Sequence, residues 1–142
     1  MRRAVVAVFM GGLAFWGIGS GLGHQPAIIG ARLTAVLTFL DAWTRQLKAV
    51  GYISGVYSSA CAAITDLQSN TTIAGHPLAE PHAIWFALWD NGNNMTGAPY
   101  MTTAVWPVAS RSKQYAGNRT VKVGGISLSI DADWVASAIA RG

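Results

Sequence analysis

Two carboxylates near the end of the sequence have a spacing that suits joint acid–base chemistry. Asp131 and Asp133 follow the alternating run Ile-Ser-Leu-Ser-Ile at residues 126–130, which predicts a strand with one covered face. Residues two apart on a strand share a face, and two neighbouring carboxyls can raise one another's pKa. Asp133 has a structural interpretation as well, because it precedes residues 134–140, which are predicted to be helical, and Asp is a favoured helix N-cap.

Polar and aromatic side chains follow three other apolar runs. Residues 52–57 and 83–89 predict short strands, and residues 112–115 are a third candidate. The second run is apolar throughout, as in a strand buried on both faces. Strands separated by helices or long loops imply crossovers and a parallel sheet, so the sequence predicts an α/β fold. The candidate binding residues at the ends of these runs are Tyr57, Trp89, Asp90, Gln114 and Tyr115.

Each aromatic or acidic candidate also has a purely structural alternative. Tyr57 and Trp89 can belong to the interior of the fold, and Asp90 can form a turn before Asn91-Gly92. For Trp85 the core is the better interpretation, because this residue lies in the middle of an apolar run. These alternatives remain open on the sequence alone.

One amphipathic helix is the clearest element of the chain. Thr34 is predicted as its N-cap, and Gly51 as the residue that closes it. We therefore expect three segments: an N-terminal segment at 1–23, a linker at 24–32 and a domain at 33–142. The apolar side of the helix is formed by Val36, Leu40, Trp43, Leu47 and Val50.

Composition excludes several classes of function. Only 11% of the 142 residues are charged, against roughly 25% in ordinary soluble domains, so some faces are expected to be covered. The net charge of +4 comes from scattered residues, without the basic stripe of a nucleic-acid-binding protein. A single cysteine, Cys61, rules out an intrachain disulfide and is expected to be buried. The sequence has no Cys/His cluster with metal-ligand spacing, and no cofactor is predicted.

The N-terminal segment resembles a targeting sequence. Met1, Arg2 and Arg3 precede an uncharged, apolar stretch at residues 4–23, the pattern of a secretory signal. About twenty apolar residues can also span a bilayer as a helix. We expect an apolar helix here that serves as a signal peptide or membrane anchor, which would make the protein secreted or membrane-anchored. The alternative is a non-native start that does not belong to the domain.

Five motifs, in order, make residues 33–134 similar to the glycoside-hydrolase-like domain of unknown function found in secreted actinobacterial proteins. That family resembles the family 25 lysozymes, which cleave peptidoglycan. No single motif is sufficient. The motifs are Phe-Leu-Asp-Ala-Trp at 39–43, Gly-Tyr-Ile-Ser-Gly-Val-Tyr-Ser-Ser at 51–59, Ile-Trp-Phe-Ala-Leu-Trp-Asp at 84–90, Gln-Tyr-Ala-Gly at 114–117, and Gly-Gly-Ile at 124–126 with Ile-Asp-Ala-Asp at 130–133.

The resemblance implies a partial TIM-type barrel of about four parallel strands, whose active site lies at the carboxyl ends of the strands. In this correspondence Asp131 matches the acid of the last strand, and Asp133 is a weaker second candidate. Gln114 and Tyr115 would line a sugar subsite. Tyr57, Trp85 and Trp89 would stack on sugar rings, although the core is the better interpretation for Trp85. The implied ligand is a carbohydrate, namely a cell-wall glycan.

Other acids of the family have no counterpart in this sequence. Glycoside hydrolysis normally uses two carboxyl groups that flank the bond, and the lysozyme relatives carry main acids on the first strand and in an Asp-x-Glu motif on the fourth. This chain has Glu80 as its only glutamate. We therefore expect the C-terminal half of a barrel without turnover of its own. The alternatives are a non-catalytic glycan-binding module and a hydrolase completed by homo-oligomerisation, which would cover open sheet edges.

Overall fold

A five-stranded mixed sheet forms the centre of the protein. The computed structural model describes residues 4–8, 25–102 and 105–137, with side chains from residue 30 onward. The strands are β1 (Ala4–Val8), β2 (Ile53–Ser59), β3 (Thr72–Ile73), β4 (His76–Pro77), β5 (Ala83–Ala87), β6 (Arg111–Val123) and β7 (Ile126–Val135). The strand order in the sheet is β1-β2-β5-β6-β7, and β3 and β4 form a separate two-stranded ribbon.

The predicted parallel arrangement is confirmed for β2, β5 and β6, and β1, which was not predicted as a strand, adds a further parallel strand to the sheet. The last strand differs from the prediction, since β7 runs antiparallel to β6. A tight turn makes this hairpin possible, because Gly124 and Gly125 adopt φ values of 56° and 84°, which cost glycine little. The far part of the hairpin extends past the residues that pair with β5.

One long helix covers one face of the sheet. Helix α1 (Gln25–Ala49) begins earlier than the predicted start at Thr34, whose hydroxyl instead donates to the Gly30 carbonyl within the helix at 2.9 Å. Gly51 follows the helix with a φ of 83°, in agreement with its predicted role. After β2 the chain forms a π-helical turn (Ala60–Ile64) and the short helix α2 (Thr65–Ser69).

Alternation along the strands separates a core face from a second face. Leu40 of α1 lies in the same buried cluster as Val56 of β2 and Phe86 of β5. Because neighbours in a strand point to opposite sides, Tyr57 and Trp85, which are paired in register, lie on the other face. The helix therefore supports one side of the sheet and leaves the other side for the site.

A buried arginine organises the long connection between β5 and β6. Arg111 is 1% exposed, and its guanidinium donates to the carbonyls of Trp106, Met95 and Thr102 at 2.6, 3.1 and 2.9 Å. Three distant parts of the loop are thus tied to the first residue of β6. This contact fixes where β6 begins and therefore where Gln114 lies.

Three local predictions are wrong. Ala4–Val8, expected to be helical, pair in parallel with β2; residues 9–23 lie outside the described part of the chain. Trp134 and Val135, expected to begin a helix, belong to β7, because they pair with Lys113 and Ser112. Cys61 is exposed rather than buried, since it follows the end of β2 with its thiol 3.1 Å from the Ser59 hydroxyl.

We examined the helices of the described residues for the length and apolar character of a membrane span. Helix α1 is long enough, but none of the helices described combines the length and apolar character needed to cross a bilayer.

Candidate functional site

The side-chain amide of Gln114 connects residues from three strands and the loop after β5. Its Oε1 atom accepts hydrogen bonds from the Tyr57 hydroxyl at 2.9 Å and from the Trp89 indole N–H at 3.1 Å. Its Nε2 atom donates to Asp131 Oδ2 at 2.6 Å. The amide is 6% exposed, so these bonds fix a buried polar group whose donors and acceptors would otherwise be costly.

Antiparallel pairing brings the two carboxylates to this point. Asp133 is the register partner of Gln114 on β6, and its Oδ1 accepts from the Trp85 indole N–H at 2.9 Å. Asp131 Oδ1 accepts from the backbone N–H of Asn118 at 3.2 Å. Asp133 therefore lies within β7 rather than at the start of a helix, and the helix-cap interpretation is wrong.

Two aromatic rings complete the arrangement. Tyr57 and Trp85 meet edge to face, with ring centroids 5.0 Å apart and an interplanar angle of 67°. This geometry is a favoured one for aromatic pairs. Trp85 is half-buried on the second face of the sheet, so its assignment to the core was wrong. We call the six residues Tyr57, Trp85, Trp89, Gln114, Asp131 and Asp133 the strand-end cluster.

Electrostatics within the strand-end cluster shift the pKa of one carboxyl upward. Burial, together with the neighbouring charge of Asp131, raises the pKa of Asp133, and the hydrogen bond from Trp85 opposes this shift. Burial raises the pKa of Tyr57 as well, and the charges of Asp131 and Asp133 add to the effect. Tyr57 therefore keeps its proton and acts as a hydrogen-bond donor at neutral pH.

Asp90 forms a separate ion pair beside the strand-end cluster. Its Oδ2 atom lies 2.7 Å from the Lys113 ammonium group, which is fully buried. Its other oxygen accepts from the Gly92 N–H at 2.8 Å. Although burial opposes the shift, these hydrogen bonds lower the pKa of Asp90. This arrangement agrees with the structural interpretation of Asp90 as a turn former.

Tyr115 contributes its backbone rather than its ring to the described contacts. Its carbonyl accepts from the Asn91 N–H at 3.0 Å, which holds the loop after β5 against β6. The predicted binding residues thus divide into two groups. The strand-end cluster joins Tyr57, Trp89 and Gln114 to both acids, whereas Asp90 and Tyr115 support the loop beside it.

Several residues of this region were missed by sequence reasoning. The signal for Trp85 was available, since a residue paired in register with Tyr57 must share its face. Lys113 and Asn118 gave no such signal, because their roles depend on the loop after β5 and on the antiparallel return of β7.

The strand-end cluster has chemical groups that suit a polar molecule with apolar faces. It combines carboxylate oxygens, a phenolic hydroxyl and an exposed indole, which suit the hydroxyl groups and C–H surfaces of a sugar. Among the described residues no group of three or more His, Cys, Asp or Glu side chains could hold a metal ion.

Comparison with known proteins assigns the family. No curated protein and no solved structure matches the chain. A family model described as "Rv2525c-like, glycoside hydrolase-like domain" matches residues 30–135, well over half of the sequence and the whole of the strand-end cluster. The fold class and the motifs that carried the resemblance agree with this match. The chain belongs to the family of Rv2525c-like, glycoside hydrolase-like domains.

Proposed function

We propose that the strand-end cluster binds cell-wall glycan and has no turnover of its own. The observation that carries the proposal is the hydrogen-bonded network centred on Gln114, which joins Tyr57, Trp89 and Asp131 at the carboxyl edge of a parallel sheet. In barrel enzymes this edge is where substrates bind. Small-ligand sites combine aromatic side chains with a few precisely placed polar groups, and both are present here.

The polar groups of the strand-end cluster have capacity left for a ligand. A carboxylate offers about four acceptor positions, and Asp131 uses two of them for Gln114 and Asn118. Asp133 uses one for Trp85. The remaining acceptor positions suit sugar hydroxyl or amide N–H donors, and charge-assisted bonds of this kind are stronger than neutral ones.

The positions of the acids support the proposed absence of turnover. A glycosidase places its two carboxyl groups on either side of the scissile bond. Asp131 and Asp133 both belong to β7 and so approach a ligand from the same side. Of the other four acids, Asp90 is paired with Lys113, and the remaining three belong to no strand of the sheet: Asp41 lies in α1, Asp66 in α2 and Glu80 in the segment before β5.

Binding and hydrolysis can be measured on the same preparation. We expect the protein to sediment with insoluble peptidoglycan, and Trp89→Ala and Gln114→Ala to reduce the bound fraction at least fivefold, as loss of a central contact does. Tyr100→Ala removes an exposed aromatic ring outside the strand-end cluster and should bind like the parent. Equal binding by all four proteins, or none by the parent, would refute the proposal.

A hydrolase that uses Asp131 and Asp133 is the second candidate. The raised pKa of Asp133 beside a second carboxyl favours it, since such a pair can divide the roles of acid and base. In a muramidase assay this candidate requires product release that Asp131→Asn and Asp133→Asn each abolish. Our proposal requires no release above the level of these two variants.

Location and self-association are further parts of the proposal. We propose export through the N-terminal segment, supported by its basic start and apolar run. Because Ala4–Val8 pair with β2, intact-mass measurement of the exported protein will show whether β1 is retained. We also propose that a second copy covers the outer edge of β7, where Ile126, Leu128 and Ile130 are exposed.

A further inference from the structure

Trp89 is both highly exposed and firmly held, which is an unusual combination. Its side chain is 57% exposed, yet its indole N–H donates to Gln114 Oε1 at 3.1 Å. The backbone on both sides is tied to β6, through Leu88 N–H to the Gln114 carbonyl and Asn91 N–H to the Tyr115 carbonyl, each at 3.0 Å. A large aromatic group is thus presented to solvent in one orientation.

Gly117 makes this orientation possible. A Cβ atom built on Gly117 would lie 2.4 Å from Cζ2, 2.6 Å from Cη2 and 2.7 Å from Cε2 of the Trp89 indole. Real Cβ atoms essentially never approach another heavy atom so closely. The indole therefore lies directly against the backbone of β6, and any other residue at position 117 must displace it. Glycine is the residue that permits such close approach.

We propose that Gly117 is a positioning residue that holds the Trp89 indole against β6 as a preformed platform for a pyranose ring. This inference rests on the proposed glycan-binding function and specifies how the same site binds. The face of an aromatic ring carries negative partial charge, and the C–H groups of a pyranose face carry positive partial charge, so the two surfaces attract. A platform that needs no ordering on binding retains more of this energy as affinity.

The substitution Gly117→Ala should change the position of the Trp89 indole without removing any side chain of the strand-end cluster. The added methyl group pushes the indole outward, breaks its bond to Gln114 and leaves the ring free to tilt. Every group that contacts ligand is still present in this variant. We expect about a tenfold loss of affinity for chitopentaose by titration calorimetry, in the range of a substantial interface contact. Gly30→Ala is the matched control, because a Cβ there meets nothing within 4 Å.

A double-mutant cycle tests whether Gly117 acts through Trp89. In a Trp89→Ala background the added methyl group has room, because the indole is absent. The comparison of Trp89→Ala with the double variant therefore remains possible if Gly117→Ala alone folds poorly. We expect Gly117→Ala to cause no further loss of chitopentaose affinity in that background. The same loss in both backgrounds, or no loss in either, would overturn the proposal.

A ligand-free measurement distinguishes failure of this inference from failure of the proposed function. In protein labelled with ¹⁵N-tryptophan, the Trp89 indole resonance is assigned by its absence in Trp89→Phe. We expect Gly117→Ala to shift that resonance strongly and Gly30→Ala to leave it unchanged. An unshifted resonance refutes the positioning role even if the parent binds glycan. If the resonance shifts in Gly117→Ala but the parent protein fails to bind chitopentaose, the role of Trp89 as a glycan platform is refuted. Only the contact between Gly117 and the Trp89 indole is then supported.

Discussion

Gln114 and Asp131 form the shortest link in the strand-end cluster, with 2.6 Å between Nε2 and Oδ2. They lie on strands that run in opposite directions, and the same amide accepts two further hydrogen bonds through Oε1. Both polar atoms of the amide are therefore required, because Nε2 must donate a hydrogen bond while Oε1 accepts two. A carboxyl group has the same shape but cannot meet both demands when it is ionised.

The variant Gln114→Glu should lose stability as the pH rises. A buried Glu facing Asp131 must keep a proton to donate, so its folded-state pKa is raised above the ordinary value of about 4.3. The destabilisation is small near pH 4 and grows towards pH 7, where we expect about 2 kcal/mol. Urea unfolding at both pH values measures it. Gln46→Glu, the same change on the exposed side of α1, should be neutral, and an equal effect at the two sites would contradict the account.

Asp133 should titrate above the usual range for an aspartate. Burial is the main cause and the charge of Asp131 a smaller one. Asp131→Asn should therefore lower the pKa of Asp133 while leaving it above the ordinary value of about 3.9. Carboxyl ¹³C resonances followed against pH give both values. An unchanged Asp133 midpoint in Asp131→Asn would show that the two carboxyls do not interact.

The ion pair beside the strand-end cluster should respond unequally to loss of either partner. Asp90→Asn leaves the fully buried Lys113 ammonium without its counter-charge, which should cost about 3 kcal/mol at pH 7. Lys113→Met leaves Asp90, whose side chain is 39% exposed and can be hydrated, so its cost should be smaller. Denaturant unfolding gives the free energy of unfolding of both variants. A larger loss of stability in Lys113→Met than in Asp90→Asn would overturn this reasoning.

The same pair gives a defined pH dependence. The pKa of Asp90 is lowered in the folded state, so its contribution is present above the unfolded-state pKa and is lost as the pH falls through the folded value. The difference in stability between the parent and Asp90→Asn should therefore shrink in acid.

An apolar, uncharged edge on β7 should promote pairing with a second copy. Ile126, Leu128 and Ile130 are 65%, 44% and 44% exposed, and the run between them carries no charge. In antiparallel self-pairing centred on Leu128, Ile126 of one copy meets Ile130 of the other and no like charges oppose. Natural edge strands usually carry charges that prevent this.

Light scattering across a concentration series tests whether two copies pair through the edge of β7. We expect the parent to shift towards a dimer and Leu128→Lys to remain monomeric. Thr120→Lys, an exposed position on the partner strand of the hairpin, is the control and should behave like the parent. A monomeric parent at all concentrations would exclude self-pairing through this edge.

Helix α1 and strands β2 and β5 were predictable because their signals are local. The apolar side of α1 repeats with the period of a helix, and the runs that became β2 and β5 have the length and composition of short strands. The antiparallel direction of β7 was missed, although the sequence carries a signal for it. Gly124 and Gly125 lie between two runs of alternating apolar residues, which is the pattern of a β-hairpin.

The candidate site was predictable only in part. Tyr57, Gln114 and both acids were expected near a common edge, and the structure brings them together. Trp85 was misassigned because an apolar run conceals which of its residues face the core. Gly117 ends the Gln-Tyr-Ala-Gly motif at 114–117, but the motif does not show its role, because that role comes from a contact with the Trp89 indole.

The most direct test of the central claim is a titration of ¹⁵N-tryptophan-labelled protein with chitopentaose. Binding at the strand-end cluster predicts saturable shifts of the Trp85 and Trp89 indole resonances, each assigned by a Trp→Phe variant. The Trp106 resonance should not move, because this residue is 2% exposed and donates to the Pro81 carbonyl. Unchanged Trp85 and Trp89 resonances at saturating ligand, or shifts confined to other tryptophans, would contradict the account.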